Sequence, residues 1–383
     1  MDDYPAGLAM PGPRRPRLSV VIPVHNGGRA FERCLRGLRA STWTEYELIV
    51  VDDGSADGSA ALAQAYGARV LRNSRARGPA SARNVGVEAA STPLIFFLDS
   101  DVIPHPDTLA RAFARFEAQP TLSALFGSYD DNPPDQGPVS RYRNLLHHYV
   151  HQQGEFLDDA RPAHTFWTGC GVIRKDDFLA LGGFDPDLYR RPAIEDIELG
   201  YRLTRAGYRI LLARDVQVAH LKRWTLPVVL KTDLFQRGIP WMLLLLRSGM
   251  PEKDLNVSPA QRLSVAATGL ALLGLAEAPI NPPALAASAA CVALTIALNH
   301  RFYRFLASRG GARFALLSIP LHQMYFFCCG LSVVMAWIYF HIPMTLLGER
   351  HARLVRQRPD SARARVPAPW HLRLKRRLLR RRP

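Results

Sequence analysis

With 383 residues, a formal net charge of +16 and a pI near 10.1, the chain is long enough to bury one large core and carry an appendage. Its five cysteines (Cys34, Cys170, Cys291, Cys328, Cys329) are odd in number and show no C-x-x-C spacing, and three lie in apolar stretches; this argues against a disulfide framework or a cysteine zinc site. The charge is concentrated, because residues 350–383 hold twelve arginines and Lys375 against Asp360 alone, a net +12. Such a block suits an anionic lipid surface. No nucleic-acid-binding motif accompanies it and apolar segments precede it, so no nucleic-acid partner is expected.

Residues 1–16 read as a flexible N-terminus. The opening stretch is rich in Pro, Gly and Ala and lacks the apolar core of a signal peptide, which predicts that the domain after it stays on the cytoplasmic side. Residues 18–24 predict a first strand, with Pro23 marking its end. Phe31, Cys34, Leu35 and Leu38 then recur at helical spacing. A second strand over 47–51 stops at Asp52-Asp53-Gly54-Ser55, and the next helix runs through Leu62 and Tyr66 to Gly67. Residues 68–71 are a short strand and 80–90 a helix. Residues 94–98 form an unbroken apolar run, as in a strand buried on both faces, and it ends in Asp99-Ser100-Asp101. This alternation predicts an open, mainly parallel α/β sheet flanked by helices. Further on, 130–138 is a loop, and 168–173 is a strand whose glycines allow a close approach. Gly182-Gly183 is a turn. Ile194, Ile197 and Tyr201 share one face of a helix ending at Gly207.

Past residue 225 the character changes. Residues 226–262 predict amphipathic interfacial helices, 263–345 hydrophobic membrane segments, and 346–383 a basic tail. The apolar stretches 263–279 and 284–298 each fall short of a standard span of ~20 residues; 314–340 is longer and contains Pro320, His322 and Gly330. Arg301, Arg304, Arg309 and Arg313 separate the second stretch from the third, and basic loops stay cytoplasmic, so 263–298 reads as an out-and-back hairpin. Two courses are open to the third stretch. A single crossing carries the basic tail outside, whereas a re-entrant hairpin broken near Gly330 keeps it inside.

Asp99 and Asp101 stand where ligands of parallel sheets collect, beyond the carboxyl ends of the strands. A hard divalent cation can there bridge carboxylates and a substrate's phosphates. Alone, Asp-x-Asp is common and reads first as a pair of solvated turn acids. It is joined by Pro23-Val24-His25-Asn26, by Val51-Asp52-Asp53-Gly54-Ser55, by Ala82-Arg83-Asn84-Val85-Gly86, and by Glu195-Asp196 opening a helix. In this order and spacing, residues 17–225 resemble the family 2 glycosyltransferases, which have the GT-A fold.

The resemblance implies an inverting, metal-dependent transfer of a sugar from a nucleotide-diphosphate donor, a UDP-sugar before others, to a hydroxyl. Membrane anchoring makes a lipid or lipid-linked glycan the expected acceptor. Mn2+ or Mg2+ is the implied cofactor. By position, Pro23, His25 and Asn26 line the base or ribose, with His25 standing where the family more often has an aromatic residue. Asp53 reads a pyrimidine imide, and Asp52 supports the turn. Gly78 and Arg83 serve the phosphates or the base. Asp101 is a metal ligand, Asp99 contacts ribose or metal, and Asp196 is the catalytic base, positioned by Glu195. His220-Leu221-Lys222-Arg223-Trp224 stands where processive members carry Gln-x-x-Arg-Trp. His220 is thus a further candidate ligand, Lys222 or Arg223 a phosphate partner and Trp224 an acceptor platform, while the same residues read equally as an interfacial lead into a membrane. The missing Gln and few apolar stretches argue against a polymer-extruding synthase. Gly169, Cys170 and Gly182-Gly183, with Trp167, are expected to shape the acceptor site, Cys170 by packing. Two other readings are a sugar-nucleotide pyrophosphorylase, whose phosphate loop only Asn26-Gly27-Gly28-Arg29 echoes, and a non-catalytic membrane scaffold.

Overall fold

The structure is a computed structural model and describes residues 16–248 and 258–342; the expected N-terminal segment, but for residue 16, and the basic tail lie outside these. Strands β1 (Leu18–Val24), β2 (Tyr46–Asp52), β3 (Arg69–Arg72) and β4 (Leu94–Leu98) alternate with helices α1 (Gly28–Arg39), α2 (Ser59–Ala65) and α3 (Pro79–Ala89). There follow β5 (Val102–Pro104), α4 (Thr108–Ala118), β6 (Leu122–Tyr129), α5 (Pro138–His151), β7 (Ala160–Ala163), β8 (Cys170–Arg174), α6 (Lys175–Ala180), α7 (Glu195–Arg205) and β9 (Arg209–His220).

The sheet runs β3-β2-β1-β4-β8-β6-β9-β5, with β7 also paired to β9. The first four strands are parallel, but β8 lies antiparallel between β4 and β6, and β9 pairs antiparallel with β5. The expected mainly parallel sheet therefore holds for the first half, and the second half is mixed. Strand direction there depends on how the chain returns, which an apolar run does not encode. Val20, Val21, Ile22, Ile95, Phe96 and Phe97 are wholly buried, because helices cover both faces. Pro23 lies inside β1, beyond the last pair with β4, at Val21, where its missing N–H leaves no ladder bond to that strand unmade.

Helices α8 (Leu226–Lys231) and α9 (Ile239–Ser248) are joined through a π-helical turn, Thr232–Gly238. This strap ties the sheet domain to the three C-terminal helices. Leu244 enters the main core, the Trp241 indole N–H donates to the Tyr201 hydroxyl at 3.0 Å, and Leu243 packs with Ala336. Helices α10 (Pro259–Glu277) and α11 (Pro283–Leu298) pack on each other ahead of α12 (His300–His341). α12 breaks at Gly311, whose φ of 78° and ψ of 168° no helix accommodates. It then continues through Pro320 and Gly330, so the re-entrant break near Gly330 does not form. Residues 312–341 extend roughly 45 Å at 1.5 Å per residue. Both sides of the break dock on α5, where Tyr142, Leu145 and Leu146 meet Phe302 and Leu306 before it and Phe314 after it.

Candidate active site

The ends of β1, β2 and β4 lie side by side, and the motif residues come directly after them. After β1, His25 Nδ1 lies 2.8 Å from the Asp53 carbonyl oxygen, and the Asn26 side chain accepts from the Ala56 N–H at 2.9 Å. Asn26 takes a positive φ of 52°. Asp52 accepts from the Ser55 N–H at 2.9 Å and faces the Arg72 Nε at 3.2 Å, bracing the turn as its position suggested. Asp53 is buried, and both its oxygens are engaged: Asn73 Nδ2 at 2.7 Å, Arg77 N at 2.9 and 3.0 Å, and Gly78 N at 2.7 Å donate to it. The carboxylate expected to read a base thus anchors the loop that enters α3, and a base N–H would have to share it. Gly78 has φ of +92°, and a Cβ there would stand 2.2 Å from the Arg190 carbonyl oxygen. Only glycine lets this loop close against residue 190.

Arg83, expected at the phosphates, is buried and already divided between two carboxylates. Nη1 donates to Glu195 Oε1 at 2.9 Å and Nη2 to Asp99 Oδ1 at 2.7 Å. The reason is topological. α3 packs on β1 and β2, Asp99 follows β4 next to β1, and Glu195 opens α7, so a guanidinium fork from α3 bridges the two acids. Glu195 also accepts from the Ala193 N–H at 3.0 Å. Arg83 is therefore a positioning residue in this arrangement.

Asp101 meets His220 through strand register. β5 pairs Val102 with His220, and the Leu221 N–H donates to the Asp101 carbonyl at 2.8 Å. Asp101 Oδ2 lies 3.6 Å from His220 Nε2. His220 Nδ1 lies 2.7 Å from Asn144 Oδ1. An amide oxygen only accepts, so Nδ1 carries a proton and Nε2 is the ring atom that faces Asp101. Burial works against the Asp101 charge, but His220 and then Lys222 outweigh it and hold the carboxyl below its ordinary value. Tyr129 stacks on His220 at 4.2 Å. Burial, and then the charges of Asp101 and Asp99, push its phenol up, with Arg237 pulling the other way.

Asp196 is reached from β8. The Asp99 N–H donates to the Gly169 carbonyl at 3.4 Å, and Thr168 donates to Asp196 Oδ2 through its N–H at 3.2 Å and its hydroxyl at 3.3 Å. Burial raises the Asp196 carboxyl, the Glu195 charge adds to it, and Arg83 pulls back; the balance stands at about 6. On its far side Asp196 lines a cavity of about 420 Å³ that opens between α5, the strap, α10 and α12, with Trp167 and Trp241 in its walls. Gly182 and Gly183 do not line it. They close the turn after α6, where Asn84 bonds both the N–H and the carbonyl of Phe184. Cys170 is buried and its thiol is pushed up by burial, as suits packing.

Residues 19–182 match the family model of glycosyl transferase family 2. Over these residues the chain is similar to that family. It is similar to the pre-mycofactocin glycosyltransferase of Mycobacterium tuberculosis, 31% identical over 55% of this chain and 43% of that protein. It is likewise similar to the glycosyltransferase AglE of Haloferax volcanii, 27% identical over 54% of this chain and 68% of that protein. The match thus spans less than half the length of the first relative. Among solved structures, the mannosyltransferase PcManGT from Pyrobaculum calidifontis, in complex with GDP-Man and Mn2+, aligns at a TM-score of 0.47 and 20% identity over 86% of this chain and 90% of that one.

Within this domain, the residues present fit a divalent cation. Among the described residues no group of three or more His, Cys, Asp and Glu side chains closes around an ion; Asp101 and His220, 3.6 Å apart, would be side-chain ligands, and Asp99 could join them through the oxygen that Arg83 leaves free. Phosphate and water would complete the shell, as is usual for Mg2+. The Asn144 contact to the other ring nitrogen is the support that metal-binding histidines ordinarily have. Sequence reasoning passed over Asn144, Thr168 and Tyr129. Helix α5 does carry a signal, since Asn144, His147, His148 and His151 recur at spacings of three and four, one face of a helix.

Proposed function

We propose that the protein is a metal-dependent inverting glycosyltransferase. It moves a sugar from a nucleotide-diphosphate donor, a UDP-sugar before others, to a hydroxyl of a lipid or lipid-linked glycan. The reading is carried by one observation: a buried carboxylate raised to about 6, Asp196, stands between the acid cluster at the strand ends and a largely apolar cavity. A general base works best with a value near the operating pH. In this reading the donor lies across the ends of β1, β2 and β4, along His25, Asn26, Asp53 and Gly78. Asp101 and His220 would hold the cation, which when bound would neutralise the diphosphate as a Lewis acid. The acceptor oxygen forms a bond to the anomeric carbon on the face opposite the diphosphate. The bond from that carbon to the diphosphate oxygen breaks, the nucleoside diphosphate leaves with the electron pair, and the hydroxyl proton passes to Asp196.

Membrane association is part of the proposal. α12 is long and apolar enough to cross a bilayer, and with 22% of its most apolar window buried it differs from a soluble core helix. Leu316, Leu317, Val334 and Trp337 are exposed along it. The basic segment before Gly311 binds the catalytic domain through Arg309 and Asp131 at 2.5 Å. Basic segments beside apolar helices stay cytoplasmic, which would place the catalytic domain there as well. The deciding experiment is a screen of UDP- and GDP-sugars for binding and slow hydrolysis, with Mn2+ and with EDTA. Cleavage that EDTA abolishes supports the reading; absence of any binding or cleavage removes it.

A further inference from the structure

The cavity beyond Asp196 has features that no step on the donor side uses. Leu146, Val150, Trp241, Met242, Val265 and Val333 make much of its lining apolar, and its volume of about 420 Å³ lies within the range of small-ligand sites, roughly 300–1,000 Å³. Set among these side chains are buried polar atoms without hydrogen-bond partners: Nδ1 of His147 and of His151, Oδ2 of Asp233 and Oγ of Ser332.

Arg237 lines the same cavity and is half-buried. Among the described residues it has no hydrogen-bond or ion-pair partner. Two neighbouring cations are committed: Arg143 donates to Asp233 at 2.5 Å, and the Lys222 ammonium lies 4.2 Å over the Trp224 ring. Arg237 sits on the π-helical turn, a geometry frequent at functional sites. The turn is wedged tightly against α12, since a Cβ on Gly238 would stand 2.1 Å from Ser332 Oγ and 2.4 Å from the Asp233 carbonyl. The Arg237 charge reaches Asp196, but no carboxylate makes an ion pair with it among the described residues, and a guanidinium held partly out of water is better off with one. A ligand with a negative group would relieve it.

We infer that the acceptor is an anionic amphiphile. Its apolar chain lies among α9, α10 and α12, its acidic oxygens pair with Arg237, and its hydroxyl is presented to Asp196. This rests on the glycosyltransferase reading and adds the class of acceptor. The test uses the full chain in phosphatidylcholine nanodiscs, with dodecyl phosphate, dodecanoate and uncharged dodecane-1,2-diol as probes, followed by the fluorescence of Trp167 and Trp241. The tighter of the two anions should bind about 10–100-fold better than the diol, the factor of a charge-assisted hydrogen bond, and its identity names the group as phosphate or carboxylate. Arg237→Gln should erase this preference and Arg237→Lys keep part of it, while UDP affinity with Mn2+ stays at the wild-type value. Equal binding of all three probes by the wild type overturns the inference, whatever the folding of the variants. A parallel loss of UDP affinity in Arg237→Gln also overturns it, because the guanidinium would then serve the donor. Donor hydrolysis without acceptor separates the two levels: hydrolysis intact with no anion preference removes this inference alone, and no donor binding removes the reading beneath it.

Discussion

The two sides of Asp196 are built on opposite terms. On the strand-end side, the chain answers its own charges: Arg83 spans Asp99 and Glu195, Asp53 holds the backbone of Arg77 and Gly78, and Asp52 braces Ser55 and Arg72. On the cavity side, Arg237 makes no hydrogen bond or ion pair among the described residues, and burial holds His151 down at about 3, as a neutral imidazole. One side is stiffened before a ligand arrives, so ordering there costs little on binding. The other leaves the Arg237 guanidinium to be paired by what enters. A preorganised half and an unsatisfied half meet at one carboxylate, which suits a reaction joining two different substrates.

The strongest way to break this comparison is at the carboxylate itself. Asp196→Asn should lower kcat by about 10²–10⁴-fold, the usual contribution of a general base, with UDP affinity retained; turnover close to wild type would strip Asp196 of its role. The same group sets a pH dependence. A carboxyl at about 6 must be ionised to accept a proton, so kcat/KM should fall as pH drops through 6 and level off above it. An acid limb at 4, the range of an ordinary carboxyl, would show that burial does not tune this residue.

Next comes the clamp. Arg83→Ala leaves Asp99 and Glu195 without their shared counter-ion, and breaking a buried ion pair costs about 3–5 kcal/mol. Urea unfolding of the purified protein should register that loss. Arg83→Lys should restore little of it, since one ammonium does not span both acids as the fork does; a loss near zero in either variant would make the clamp incidental. The smallest expected effect sharpens the metal assignment. Asn144→Ala removes the acceptor on His220 Nδ1 and should weaken Mn2+ binding in the presence of UDP by about 10–100-fold. A calorimetric Mn2+ titration unchanged from wild type would remove His220 from the ligand set.

The parallel half of the sheet was legible because its signals are local. The apolar runs of β1, β2 and β4, and the spacing of Phe31, Cys34, Leu35 and Leu38 on α1, depend on neighbours a few residues away. The mixed half was harder to read. β5 is three residues long and β9 is interrupted by polar residues such as Arg214, Asp215 and Gln217, so their pairing rests on contacts distant in sequence. Pro320 and Gly330 suggested a break that packing overrode, while the break that formed lies at Gly311. At the site, sequence singled out Asp101, His220, Glu195 and Asp196 as residue types in a pattern. It gave Arg83 a ligand to bind where the chain supplies two carboxylates instead.

The sequence by itself determined which acids stand at strand ends and helix starts, because strand and helix boundaries are set by local apolar periodicity and by turn residues such as Gly54 and Gly78. Only the tertiary structure decided what those acids face. The β5–β9 register set Asp101 beside His220, the packing of α3 on β1 and β2 gave Arg83 to Asp99 and Glu195, and the strap and α12 enclosed a cavity behind Asp196. Charge environment is a sum over neighbours in space, and most of those neighbours lie tens to hundreds of residues away along the chain.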